Sequence, residues 1–125
     1  MRTHAELLET LAVYRQDYVY DEEIGYLVWR TGTGNNLEAL FIEVRAKGRG
    51  DGRVLYRRMV EKLLGSGERP YYSVFGFVLG SNERALGFYR RMGWAVVPLG
   101  RSVYMADETV LVWIAWDDLL KELEK

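Results

Sequence analysis

Residues 37–60, LEALFIEVRAKGRGDGRVLYRRMV, place a strand, a glycine-punctuated turn and a helix in direct succession. Leu37 to Val44 is strand-like, and the basic turn Lys47-Gly48-Arg49-Gly50-Asp51-Gly52 follows. A helical pattern begins straight after the last glycine. Three glycines at alternate positions let the backbone turn tightly and bring its N–H groups close to a ligand, while the helix adds unpaired amide donors and the positive end of its dipole. That combination suits an anion, and the natural guest is a phosphate or pyrophosphate. Many strand-to-helix connections use glycine only for geometry, so the turn alone leaves both readings open.

A chain of 125 residues is expected to form one domain, residues 1–125, with room for a core but not for a second domain. Cysteine is absent, which excludes disulfides, thiolate metal sites and a cysteine nucleophile. No metal is expected. No apolar run approaches bilayer length and no signal-peptide core opens the chain, so the expectation is a cytoplasmic protein without a membrane partner. The net charge of −1 conceals a segregation: residues 45–69 carry eight basic and three acidic side chains, whereas residues 1–44 carry three and eight. Such runs are usually solvated faces; they also suit an anionic ligand in the middle and a cationic one near the flanks. The overall acidity and the lack of a reading helix argue against nucleic acid.

Thr3-His4-Ala5-Glu6 fits a capping box, and Leu7, Leu8, Leu11 and Ala12 predict a helix from about residue 4 to 16. His4, the one histidine, reads as a surface residue. Tyr18-Val19-Tyr20 is a short strand turning at Asp21-Glu22-Glu23, and Ile24 to Arg30 is another. On the Leu37–Val44 strand, Glu38, Leu40 and Ile42 share one face and Leu37, Ala39, Phe41 and Glu43 the other. The helix after the glycine turn runs to about Leu64, burying Leu55, Met59, Val60, Leu63 and Leu64, with Arg53, Arg57, Arg58, Glu61 and Lys62 outward. Tyr71 to Val78 is a strand, Glu83 to Met92 a helix closed by Gly93, and Trp94–Met105 and Thr109–Trp116 are two strands, with Pro98 marking a bulge or edge. Asp117 or Asp118 can cap a last helix. Alternating strands and helices predict an α/β fold with a mixed central sheet, and the glycine turn sits at a strand's carboxyl end, where open sheets bind ligands.

Two motifs carry a family resemblance. The turn Lys47-Gly48-Arg49-Gly50-Asp51-Gly52, followed by a helix, resembles the acyl-CoA loop of the GNAT superfamily of N-acetyltransferases, Arg/Gln-x-x-Gly-x-Gly/Ala, with Lys47, Gly50 and Gly52 at the patterned positions. Asn82-Glu83-Arg84-Ala85-Leu86-Gly87-Phe88-Tyr89-Arg90-Arg91-Met92-Gly93-Trp94 resembles the family's second signature, and one helix and one strand separate the two, as in the family. The resemblance covers about Leu37 to Trp94. It implies a GNAT-like mixed central β-sheet flanked by helices. It also implies acetyl-CoA as co-substrate, pantetheine lying between the Leu37–Val44 and Tyr71–Val78 strands, and backbone pairing to it near Phe41 and Ile42. The pyrophosphate falls to Lys47, Gly48, Arg49, Gly50, Asp51, Gly52 and Arg53, with Arg45 nearby. Asn82 contacts the pantetheine arm, and Tyr89 lies near the sulfur and protonates the leaving thiolate.

Acyl transfer to an amine requires a neutral nucleophile, oxyanion stabilisation and protonation of the thiolate. Without cysteine, direct transfer in a ternary complex is favoured over an acyl-enzyme. Glu38 shares a face with the pantetheine-side positions and could relay the amine proton through water; an isolated strand carboxylate is more often merely solvated. Asn82 or Ser81 also fits a plain N-cap, and Tyr89 a plain core aromatic. The acceptor implied is a primary amine, on a small molecule or a peptide, which the acidic Asp21-Glu22-Glu23 turn could attract. A non-catalytic acyl-CoA binding module and an interaction domain without ligand are the alternatives. The sequence departs from the family in three ways: Lys47 replaces Arg or Gln, Asp51 replaces an aliphatic residue, and only a shortened N-terminal part precedes Ile24. The aromatics Trp94, Trp113 and Trp116 suit either the core or a homodimer surface.

Overall fold

A computed structural model describes residues 2–14, 16–46, 48–67, 71–101 and 107–125. In chain order the elements are helix α1 (His4–Tyr14), strand β1 (Asp17–Asp21), strand β2 (Gly25–Thr31), strand β3 (Leu37–Val44) and helix α2 (Asp51–Gly65). Strand β4 (Ser73–Leu79), helix α3 (Glu83–Arg91), strand β5 (Ala95–Arg101), strand β6 (Glu108–Ala115) and helix α4 (Trp116–Leu123) follow. The strands form one mixed six-stranded sheet in the order β1-β2-β3-β4-β6-β5, flanked by helices, which is the architecture expected of the sequence. Among the described residues, no helix is long and apolar enough to cross a membrane.

The chain divides into two compact units, residues 1–31 with 39–70, and residues 32–38 with 71–125. In the first, Thr3 Oγ1 accepts the Glu6 amide at 3.2 Å, so the predicted cap starts α1. Leu7 and Leu11 of that helix pack with Tyr26 and Val28 of β2, and Tyr18, Tyr20 and Leu40 close the cluster. The Tyr18-Val19-Tyr20 strand forms as predicted and pairs antiparallel with β2. Its turn is held by Asp21, whose Oδ1 accepts the amides of Glu23 (2.8 Å) and Ile24 (3.1 Å). The other carboxylate oxygen of Asp21 takes Arg58 Nη1 at 2.8 Å, and that bond, ahead of the backbone amides, holds its carboxyl below the usual range.

Gly25 is obligatory. Its φ is +136°, and a Cβ there would lie 2.0 Å from the Glu43 carbonyl oxygen. The two strands approach too closely at this point for any side chain.

Helix α2 ends where expected, at Gly65, but differs from expectation at its start and in its buried set. It starts at Asp51, so Asp51 and Gly52 are helical and Gly50 (φ +77°) is the residue before the helix. Tyr56 is fully buried alongside Leu55, Met59, Val60 and Leu63, while Leu64 is exposed. The apolar stripe rotates past Leu64 as the helix ends, and Tyr56 joins the buried stripe without having been assigned to either face from the sequence. Arg58 and Lys62 point outward from this core, as predicted, but reach back to Asp21 and Asp17; Lys62 Nζ lies 2.7 Å from Asp17 Oδ1 and 2.9 Å from the Tyr18 carbonyl.

In the second unit β6 pairs antiparallel with β4 on one side and β5 on the other. Pro98 sits where the β5 register shifts, on the edge strand of the sheet, so it occupies both a bulge and an edge. Residues 102–106, the predicted end of that strand and the start of its turn, lie outside the described residues. Gly93 closes α3 with φ +80°, as predicted. Asp117 and Asp118 do not cap α4: Ala115 precedes the helix and both acids lie in its first turn, where they face the positive dipole end instead. Trp94 and Trp116 are buried in the core.

Candidate functional site

The glycine turn leads from β3 into α2 in the first unit. Gly48 (φ +85°) and Gly50 (φ +77°) are both left-handed, and no atom lies within 4 Å of where either Cβ would stand. The conformation rather than crowding demands glycine, and it leaves the backbone open to solvent at both positions. No side chain caps the helix that follows. The first amides of α2, beyond reach of any intrahelical acceptor, therefore face the open side of the turn. This is chemistry that fits a pyrophosphate. Lys47, predicted at the first motif position, lies outside the described residues.

The charged residues of the turn are arranged in a way that sequence did not reveal. Arg49 donates to Asp51 Oδ2 through Nη2 at 2.8 Å and Nε at 3.3 Å. Its Nη2 also lies 3.5 Å from the Glu23 carbonyl. Asp51 is thus not a bare carboxylate beside the predicted anion position, because the arginine two residues before it neutralises it locally. The same contact occupies Arg49. Arg45 Nη2 donates to the Tyr20 hydroxyl at 3.0 Å, and Arg53 is half-buried in the first turn of α2. Within the predicted basic cluster, Arg49 and Arg45 thus make contacts inside the protein. The cue available in sequence was the Arg-x-Asp spacing, which a turn can close into an ion pair.

On β3 the exposed Phe41 carries the Arg2 guanidinium 5.9 Å from its ring centroid, and Ile42 is half-buried. Glu43, assigned by alternation to the face opposite Leu40, accepts a hydrogen bond from Tyr26, a member of the cluster on which Leu40 packs. The Tyr26 hydroxyl is pushed up to about 12, first by burial and then by the Glu43 carboxylate, since both disfavour the tyrosinate. Tyr20 stacks on Tyr26 at 6.3 Å and His4 on Tyr20 at 4.6 Å, with His4 Nε2 3.0 Å from the Tyr18 hydroxyl. His4 is exposed as predicted, yet it ties α1 to β1.

The second signature lies in the second unit, as does Glu38, which is half-buried near the start of β3. Asn82 is the N-cap of α3, its Oδ1 accepting the Ala85 amide at 3.2 Å. Ser81 hydrogen-bonds Asp107, whose carboxyl is held below the usual range chiefly by that hydroxyl. Tyr89 is 4% exposed. Its ring is wedged between Phe88 (5.1 Å) and Trp94 (4.7 Å), and its carbonyl accepts the Trp94 amide at 3.0 Å. Among the described residues, no three His, Asp or Glu side chains group closely enough to hold a metal ion.

The sheet order, its flanking helices and the open turn at the end of β3 define an α/β fold with a mixed central sheet and a glycine turn at a strand's carboxyl end. Comparison with solved structures gives that class a name. A Desulfovibrio desulfuricans protein assigned to the GNAT acetyltransferase family superposes with a TM-score of 0.67 at 18% identity, covering 90% of this chain and 82% of its own. A Bacillus subtilis acetyltransferase in complex with CoA superposes at 0.64 and 16% identity, covering 92% and 94%. A Salmonella typhimurium protein solved with acetyl-CoA as its cofactor gives 0.61 and 17% identity, covering 89% and 70%. No family model and no curated protein matches the sequence. The chain has the fold of the GNAT acetyltransferases.

Proposed function

We propose that this chain is an acyl-CoA-dependent N-acetyltransferase that moves an acetyl group from acetyl-CoA to a primary amine by direct transfer in a ternary complex. The observation that carries the reading is the open, left-handed Gly48–Gly50 turn entering an uncapped helix, on a fold whose solved neighbours include complexes with CoA and acetyl-CoA. Acetyl-CoA supplies the activated thioester and would be held at its pyrophosphate by Gly48, Gly50, Gly52 and the first amides of α2. Arg53, and Arg49 once released from Asp51, add charge. The β3 backbone at Phe41 and Ile42 pairs with the pantetheine amides in this reading, Asn82 contacts the pantetheine arm, and Tyr89 protonates the departing thiolate. Glu38 relays the proton lost by the amine. The acceptor is a small-molecule or peptide amine, and the protein works in the cytoplasm without nucleic acid or membrane.

Two observations favour a second reading, a non-catalytic acyl-CoA binding module: Tyr89 is packed as a core aromatic, and Asn82 Oδ1 accepts its helix-cap bond. The two readings part on turnover. Purified protein incubated with acetyl-CoA and a panel of primary amines should release CoA in an amine-dependent manner, and Tyr89→Phe should slow it. Tight CoA binding in calorimetry with no amine-dependent release would establish the second reading. No heat with either acetyl-CoA or CoA would exclude both.

A further inference from the structure

We propose that the cleft beside α3 in the second unit binds a short zwitterionic peptide, at a site separate from the one read for the coenzyme. The cleft encloses about 460 Å³, within the ordinary range of small-molecule sites. Helix α3 forms one wall, and β5 and β6 form the floor. Because β5 is the edge strand of the sheet, the trough between it and α3 opens to solvent. The register sets Pro98 opposite Val110 on the floor, and Val96 continues it along β5. Leu86 and Val110 are themselves buried, so the middle of the trough is apolar and firm.

Charge is unevenly spread along this trough. Glu83, the first residue of α3, and Glu108 of β6 stand at one end, beside Gly80. Arg90 lies seven residues further along the helix, two turns and roughly 10 Å away. Glu83, Leu86 and Arg90 share one helix face because they are spaced three and four apart. Among the described residues, none of these three charged side chains is held by a hydrogen bond or ion pair within the protein. By contrast, Asp17 is committed to Lys62, Asp21 to Arg58 and Glu43 to Tyr26.

Gly80 fixes one end of the cleft. Its backbone is not left-handed, so conformation does not demand glycine there. Space does: a Cβ would lie 3.0 Å from Glu108 Cβ and 3.3 Å from its Oε2. The Gly80 amide also donates to the Glu108 carbonyl at 2.7 Å, which holds the two residues together. The absent side chain leaves the Glu108 carboxylate its place at the mouth.

Two carboxylates at one end, an arginine at the other and apolar side chains between them select the occupant. They complement a molecule with an ammonium and a carboxylate roughly 10 Å apart and an apolar group in the middle. A free tripeptide spans this length when extended, since each residue adds at most about 3.6 Å. Its ammonium faces Glu83 and Glu108, its carboxylate faces Arg90, and its central side chain rests on Leu86, Pro98 and Val110. A ligand of one sign throughout would meet like charge at one end. None of these residues is assigned to acetyl-CoA or to the reaction, so the inference stands apart from acyl transfer.

The test titrates the tripeptide Ala-Leu-Ala into the isotope-labelled intact chain and follows its amide resonances. Shifts should centre on Gly80, Glu83, Leu86, Val96 and Val110, with a Kd of about 1 mM or below. Acetylating the peptide's amino group or amidating its carboxylate should each weaken binding about threefold, as expected of solvent-exposed ion pairs. Ala-Gly-Ala, without the leucine side chain, should bind about tenfold more weakly. Glu108→Gln should weaken the free peptide but not the acetylated one, and Arg90→Gln the free peptide but not the amidated one. No shift at these residues up to about 10 mM peptide overturns the proposal. Shifts confined to β3 also overturn it, as does equal affinity for a peptide blocked at both ends. The blocked peptides need no variant, so the result holds even where a substituted chain does not fold. No acetyl-CoA is present, so failure of acetyl transfer and failure of this proposal are read separately.

Discussion

Asp51→Asn separates the two roles that its carboxylate plays. In the free protein Asp51 accepts two hydrogen bonds from Arg49 at 2.8 and 3.3 Å, with the Asp51 side chain 11% exposed and that of Arg49 56% exposed. Because the arginine is largely in water, the pair is worth only about 0.2–1 kcal/mol. A carboxylate in the first turn of α2 adds about 0.3–1 kcal/mol through the helix dipole. The asparagine variant should thus be less stable by about 0.5–2 kcal/mol in the absence of ligand. Coenzyme binding should move the other way. A unit charge about 6 Å from a doubly charged pyrophosphate in water costs on the order of 1 kcal/mol, so removing it should tighten the Kd by roughly fivefold. Arg49, no longer held by an ion pair, becomes available to the phosphate as well. Isothermal titration of CoA into both proteins measures the change, and thermal unfolding with and without CoA measures the opposing effect on the free chain. The gain in affinity should shrink as salt rises, since about 0.1 M salt already screens charges more than about 10 Å apart. An asparagine variant that is destabilised yet binds CoA with unchanged Kd at low salt would refute the reasoning, and would mean that the carboxylate lies away from the anion.

Three further outcomes are expected. Tyr89→Phe should lower kcat by about 100-fold or more with little change in CoA affinity, checked by amine-dependent CoA release beside calorimetry, because only the leaving-group proton is removed. Gly25→Ala should cost more than about 3 kcal/mol in urea unfolding, since its Cβ would lie 2.0 Å from the Glu43 carbonyl oxygen at a φ of +136°. Tyr26 keeps its proton to about pH 12 when folded but ionises near pH 10 when unfolded, so its contribution is complete below pH 10 and drains away as pH rises through 12. Urea midpoints between pH 9 and 12 should therefore fall more steeply in the parent chain than in Tyr26→Phe, with a loss of up to about 2–3 kcal/mol.

Much of this architecture was legible because local chemistry and tertiary packing agree. The Thr3 cap, the β1 turn at Asp21, the left-handed Gly93 and the Pro98 irregularity each follow from what one residue can do with its own backbone. Periodicity misjudged Leu64 and left Tyr56 unassigned, because a helical stripe says which side is apolar but not where the neighbouring strands stop covering it. Alternation placed Glu43 away from Leu40, yet both meet the Tyr26 cluster, since a long phenol reaches a carboxylate that strand parity alone would separate from it.

The open glycine turn was encoded locally: glycines at 48 and 50 take left-handed conformations and a helix begins at residue 51. That much needs only the backbone preferences of a few adjacent residues. What each charge near the turn does was decided by folding. Arg49 closes on Asp51, Arg45 is drawn to Tyr20 and Arg58 to Asp21, and two of these three partners lie more than twenty residues away along the chain. The apolar face of β4, β6 and β5 is likewise a product of register, because no single strand reveals that its outward residues line up with apolar neighbours on both sides. Local preference is a property of a residue and its neighbours in sequence, whereas pairing and exposure depend on which distant segments the fold brings alongside.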